Sequence, residues 1–411
     1  MKKFIVIMGE KLFTSLYKNK RPILIGYMVL MLALIGYLLL QSFITNKIEH
    51  ALKFNLGKEI EVDYNDLTVN LLLKSVSINK VKLKFIDSTS KDDVISIGKI
   101  EINNVSYSAL FSTGDFDIGE VILENTNSLI YKKRDSTKNK FNWKNYAFEK
   151  SIKIELLEIR NANLLAQAVL NDSVLYQVET IELNIKNLRL DRNTLTSQIP
   201  FNCDSYKLST GNVFVALNPF DNINIEGLTI DNNAFIKGFS LKTKYSKEQL
   251  QHKIHVERDF IDLQIPEIDL GNFNFKGLEN KFQLKASFVL LKKLDLEIYR
   301  NKLMPDEMSI KQLFGKKIKQ ISIPIEFPVV KIKNGLIRYS ELVSEQTKPG
   351  EIIFTNLNSE ILNISNKSLE PIVFKNEAKL MGVSPIAVDW SFYTENGAEL
   401  FKASGIIKNF E

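Results

Sequence analysis

From about residue 57 onward, the apolar residues of this chain recur at every second position. The run "EIEVDYNDLTVNLLLKSVSINKVKLKFI" is the first of many, and "VISIGKIEINNVSYSALF", "FDIGEVILENTNSLIYKK" and "SIKIELLEIRNANLLAQA" follow it. A period of two belongs to a strand with one buried and one solvated face. At typical strand lengths of about 5–10 residues, the pattern predicts about 20 strands or more. Two helical patches interrupt it. One is 46–56, with Asn46 as its cap and Gly57 as its stop; the other is "PDEMSIKQLFGKKI", opened by Pro305 and Asp306.

The stretch "VVKIKNGLIRYSE" shows the pattern at its clearest. Asn-Gly between two alternating runs is a strong short-range signal for a hairpin. A two-residue turn at Asn334 and Gly335 would set Ile332 opposite Ile337, Lys331 opposite Arg338 and Val330 opposite Tyr339. One face of the hairpin then carries Val330, Ile332, Ile337 and Tyr339. The other carries Lys331, Lys333, Arg338 and Ser340. The facing of Lys331 and Arg338 is an electrostatic conflict, since like charges opposite one another destabilise a strand pair. A carboxylate on a neighbouring strand, or an anionic partner, would resolve it. Related motifs centre on Asn125, Asn161 and Asn232, with two alternating apolar residues on each side, and read as further hairpins. Their irregular spacing implies no solenoid coil of fixed length.

The N-terminus is of another kind. From Pro22 to Asn46 there is no charged residue. As a helix, that length reaches roughly 37 Å, beyond the ~30 Å hydrocarbon core of a bilayer. A cleaved signal peptide is the competing reading, but its apolar region would be shorter, about 7–15 residues, and would end in a small-x-small site. An uncleaved anchor is favoured. Lys2, Lys3, Lys11, Lys18, Lys20 and Arg21 precede the span against Glu10 alone, whereas the charges after it are mixed. The positive-inside rule then places residues 1–21 in the cytoplasm as a basic tail, 22–45 across the membrane and 46–411 beyond it.

Several function classes are excluded. The net charge is +6 over 411 residues, with no basic stripe among aromatics, so nucleic acid is not an expected partner. The single cysteine, Cys203, allows no intrachain disulfide. His252 and His255, three apart on a strand-like segment, lack the spacing and third ligand of a zinc site. Nucleotide and hydrolase motifs are absent from the sequence. Asp259, Asp262, Glu267 and Asp269 read as a solvated strand face. Trp143 and Trp390 read as core residues. The expectation is a non-enzyme without a cofactor.

What remains is the partner of so much one-sided sheet. Sandwiches would split a chain of this length into domains of ordinary size, and no such boundary is visible. The alternation therefore predicts an elongated, curved antiparallel sheet, a groove with few short helices. With 20 strands at about 4.8 Å, it would be roughly 100 Å long. Val330, Ile332, Ile337 and Tyr339 would line it. The acyl chains of a phospholipid or other lipid suit such a lining, since each methylene removed from water gains about 0.8 kcal/mol. The alternative is an adaptor built of β-sandwiches, with a closed core, that regulates outer-membrane assembly through protein contacts.

The opening of the outer part, "IEHALKFNLGKEIEVDYNDLTVNLLLKSVSINKVKLK", resembles the start of AsmA-like proteins of Gram-negative envelopes. The segments "PVVKIKNGLIRYSE", "KPGEIIFTNLNSEILNISN" and "AKLMGVSPIAVDWSFY" are similar to the AsmA-like domain of those proteins. The resemblance implies a single-pass inner-membrane protein with a periplasmic β-groove. It would serve phospholipid transport toward the outer membrane, or envelope integrity, alongside other envelope proteins. Family members continue with further strands and an "LNP"-type segment. This sequence stops at "GIIKNFE", so the resemblance implies a truncated chain.

Overall fold

The computed structural model describes residues 20–54, 60–86, 91–106, 116–132, 151–276, 281–308, 314–395 and 398–409, except 192, 195 and 196. The expected tail and Trp143 lie outside these residues. Helix α1 (Lys20–Phe54) is continuous, so Asn46 lies inside it and caps nothing. Its stretch Met28–Asn46 is apolar enough to cross a membrane, and most of it is exposed, with Ile44 (8% exposed) buried near its end.

All strands among the described residues join one mixed sheet. Its first part is β1 (Ile60–Asp63), β2 (Asp66–Asn70), β3 (Ser75–Phe85), β4 (Asp93–Val105), β5 (Phe116–Lys132), β6 (Ile152–Ala168) and β7 (Val174–Leu190). The middle is β8 (Ser205–Thr210), β9 (Val213–Ala216), β10 (Asp221–Ile225), β11 (Gly227–Ile230), β12 (Ala234–Thr243), β13 (Phe260–Gly271) and β14 (Asn274–Lys276). The last part is β15 (Phe282–Lys285), β16 (Phe288–Lys292), β17 (Asp295–Asn301), β18 (Ile325–Leu342), β19 (Gly350–Ser365), β20 (Ile372–Leu380), β21 (Ser384–Glu395) and β22 (Ala398–Ile407).

Many of these strands are collinear pieces. β1 with β2, β8 with β9, β10 with β11, β13 with β14, and the trio β15–β17 each form one interrupted rung. The twenty-two strands therefore stack as sixteen rungs, in sequence order. At about 4.8 Å per step the stack is roughly 70 Å long, not 100 Å. The sheet is also not wholly antiparallel: β5 pairs with β6, and β15–β17 with β18, in parallel. Parallel neighbours need a crossover rather than a tight turn, and chain segments 133–151 and 302–324 make these two connections. The second contains α3 (Phe314–Lys319), which begins well after Pro305.

The expected hairpin at Asn334 does not form. Val329 to Glu341 lies within the single strand β18, with β16 and β17 on one side and β19 on the other. Asn334 has the left-handed backbone of a turn residue (φ 55°), but the chain passes straight through it as a bulge, with a register shift against β19. Asn125 (φ 55°) and Asn161 (φ 52°) do the same inside β5 and β6. Of the four motifs, only the one at Asn232 is a reversal, linking β11 to β12.

These irregularities align. Lys80, Asn125, Asn161, Thr180, Lys293, Asn334 and Asn356 all have φ between 50° and 55°. Each falls at the gap in register with the next rung, and Gly98, Gly211, Glu226, Gly238 and Pro266 complete the line. A crease thus crosses the sheet from β3 to β19. Bulges bend strands, so the rungs from β3 to β19 are kinked at the same level. Asn suits the site because its short polar side chain tolerates the left-handed region. Neighbouring Asn side chains also bond along the crease: Asn161 Nδ2 donates to Asn125 Oδ1 at 2.7 Å, and Asn163 Nδ2 to Asn127 Oδ1 at 3.0 Å. Two glycines are needed there. A Cβ on Gly98 would stand 3.1 Å from that of Asn125, and Gly238 has φ +62° with the Glu226 side chain against it.

Candidate functional site: the apolar face and its crease

In a regular strand, Ile332 and Ile337 would point to opposite faces. The extra residue at the crease restores their phase. Below the crease, the ladder Ile236, Ile268, Leu291, Ile332 lies on one face; above it, the ladder Leu241, Leu263, Leu296, Ile337 lies on the same face. In the first rungs, Ile78 and Ile100 are matched across Lys80 and Gly98 by Val81 and Ile97 in the same way. The crease therefore keeps one face apolar along both arms of each rung.

The four expected lining residues do share this face. Val330 is 8% exposed and sits in a cluster with Ile265, Ile268, Ala286, Val289 and Leu294. Ile332 and Ile337 pack against that cluster. Tyr339 stands nearer the far end of the rung, in register with Ile298 and Ile352. Its hydroxyl donates to Glu341. Burial, and then this bond to a carboxylate, push the Tyr339 hydroxyl up to about 12.

Beside Tyr339 lies a polar rim that no local sequence pattern announces. Arg300 Nε and one terminal nitrogen donate to the two oxygens of Asp259 at 2.6 and 2.8 Å. That bidentate bond raises the Arg300 pKa further above its ordinary value. Lys302 Nζ reaches Glu257 at 2.8 Å, and Arg258 reaches Asp221, which also accepts from Thr243 Oγ1 at 2.9 Å. These partners lie tens of residues apart, so nothing local in the sequence pairs them.

The opposite face is polar. Lys331 does not meet Arg338: it pairs with Glu360 at 3.1 Å, and Arg338 with Asp295 at 2.7 Å. Lys292 pairs with Glu267 and Asp269, and Lys242 with Asp262. Each exposed pair stabilises little, but the pairs resolve the conflict between Lys331 and Arg338. A pocket of 670 Å³ opens at the crease on this side, with Phe214 and Phe235 among Gln177, Lys237 and Gln264. It does not touch the expected lining.

Two elements cover the apolar face among the described residues. The end of α1 places Ile44 and Ile48 on Val69, Val76, Ile78 and Val81. The segment before β8 lays Phe201 and Cys203 on Ile154, Ile185 and Leu188. It is tied to β14 by Lys276 Nζ on Asn202 Oδ1 at 2.7 Å, and by Phe275 edge-on to Tyr206 at 5.0 Å. Burial raises the Cys203 and Tyr206 pKa values. Elsewhere the apolar clusters join neighbouring rungs only. No large side chain among the described residues falls below 2% exposure. In the last rungs the face becomes aromatic. Phe374 meets Trp390 and Phe392 edge-on at 5.6 and 5.8 Å, and Phe392 meets Phe401 at 5.3 Å. Trp390 is 37% exposed and Phe401 49%, so Trp390 is a surface residue of this face rather than a core residue.

Neither a known family pattern nor any curated protein matches this chain. Its chemistry must be read from the site. Among the described residues, no group of His, Cys, Asp and Glu could hold a metal ion. The described residues offer apolar clusters on one face, with charged pairs beside Tyr339.

Proposed function

We propose that this is a membrane-anchored lipid carrier whose kinked sheet forms a groove for acyl chains. The supporting observation is the crease, which holds the apolar residues of both arms of each rung on one side of a single sheet. A sheet bent from β3 to β19 is concave on one side, and an apolar strip on that side would take chains without selecting a head group. A two-chain lipid with some 30 methylenes costs on the order of 20 kcal/mol to expose to water, and the strip offsets most of that. α1 serves as the span, with the sheet on the periplasmic side of an inner membrane. The AsmA-like resemblance supports the same reading and suggests phospholipid transport toward the outer membrane as the task.

A photoactivatable side chain at Ile332 tests this against the same group at Lys331, one residue along on the polar face. In membranes, Ile332 is expected to crosslink to lipid and Lys331 not. The pair Ile332→Asp with Ile337→Asp should abolish lipid capture while the sheet still forms. Equal crosslinking from both positions, or lipid capture unchanged in the double variant, overturns the proposal.

A further inference from the structure

The turn that joins β2 to β3 carries an unusual load. Leu72 is 79% exposed and Leu73 is 69% exposed, side by side at its tip. The turn is well formed. Leu73 N donates to Asn70 Oδ1 at 3.0 Å, and the next residue, Lys74, has φ 51° and accepts from Val105 N at 3.0 Å. Two leucines held in water by an ordered turn are costly to leave bare. Folding does not need them there, since Leu71 is the residue of this turn that packs on the core.

Their position relative to α1 explains them. The helix touches both β1 and β2, so helix and rung run alongside one another. Along the helix, from Phe54 back to Ile44, the chain covers about 15 Å at ~1.5 Å per residue. Along the rung, from Ile60 to Asn70, it covers roughly 30 Å at ~3.3 Å per residue. Phe54 and Ile60 are joined by only five residues. The tip of the turn therefore overshoots Ile44, on the side of the apolar stretch Met28–Asn46. Ile44 is 8% exposed and is where the helix meets the sheet, whereas Leu38, Leu39, Leu40 and Phe43 just before it are 51–66% exposed. The two bare leucines stand beside the bare part of the helix.

We infer that the β2–β3 turn is a second membrane contact: Leu72 and Leu73 enter the leaflet facing the sheet, beside α1. Lys74 follows them and keeps its ammonium among the head groups, as a long cationic side chain at an interface does. The span and the turn together fix the tilt of the sheet, and they set the first rungs of the apolar face against the bilayer surface. The inference rests on the reading of α1 as a span.

The full chain in liposomes provides the test. With Cys203 replaced by Ser, a single cysteine is placed at Gly36, Leu73 or Leu170 and labelled with an environment-sensitive dye. Spin-labelled lipid is the quencher. Leu170 is 97% exposed in the turn at the opposite end of the sheet, so it controls for a merely bare leucine. Loss of fluorescence at positions 36 and 73 but not 170 is the expected result. Quenching at 36 without quenching at 73 overturns the second contact and leaves the span intact. Absence of quenching at 36 overturns the span, and this inference with it. A label at Leu72 repeats the reading should the Leu73 variant fold poorly.

Discussion

The crease makes a sharp prediction at Asn334. Among the described residues the Asn334 side chain makes no hydrogen bond; its backbone N–H donates to Asn358 Oδ1 at 3.3 Å. Its side chain therefore matters through the backbone alone. A left-handed conformation costs an ordinary L-residue roughly 1–2 kcal/mol, and glycine nothing. Asn334→Gly should leave stability within about 0.5 kcal/mol, since relief of strain is offset by chain entropy. Asn334→Ala should cost about 1 kcal/mol, and Asn334→Val, with its branched Cβ, about 2 kcal/mol. The β18 crease lies between β17 and β19, so the loss should appear as local opening, read by hydrogen exchange in β17, β18 and β19. One to two kcal/mol corresponds to roughly 5- to 30-fold faster exchange. The order Gly, Ala, Val, with β3 to β6 unchanged, is the expected outcome. If the alanine and valine variants exchange like glycine, residue 334 is not left-handed and the crease argument fails at β18.

Two further outcomes follow from the site. Tyr339 should titrate near about 12 in the native protein, against about 10 for a free tyrosine, as read by ultraviolet difference spectra. Its native pKa is raised, so its contribution to stability is complete below about pH 10 and is lost as the pH climbs to about 12; Tyr339→Phe should remove that high-pH limb. The Cys203 thiol, raised by burial where its segment lies on the sheet, should react slowly with a disulfide reagent in the folded chain and at once in urea; fast native reaction would mean that the segment does not cover the apolar face.

The strands themselves were plain in the sequence, because alternation depends only on which side of the sheet is dry. The path of the chain was not. An Asn in the left-handed region is shared by the tight hairpin turn and the bulge, and both put Val330, Ile332, Ile337 and Tyr339 on one face. The local pattern could not separate them. The signal against the hairpin was the facing of Lys331 and Arg338, which a turn would force and which Glu360 and Asp295 instead resolve from neighbouring rungs. The short helix α2 (Lys247–Gln251) was also missed, although Ser246 and Gln249 form the capping box that announces it. The rim of Arg300, Asp259, Lys302 and Glu257 depends on strand ends far apart in sequence, and only the fold brings them together.

The stacking order has a consequence for how such a molecule can change. Because sixteen rungs follow the sequence and pair through the backbone with the rungs beside them, stability is close to a sum along a line. An antiparallel pair inserted or removed leaves the direction of every later rung intact, and its own Asn or Gly continues the crease. The reach of the apolar strip is then set in steps of about 10 Å, two rungs at a time, without redesign of either end. Only β5 with β6 and β17 with β18 resist this freedom. There a parallel neighbour ties the count to a long crossover, and these two joints fix where length can be added.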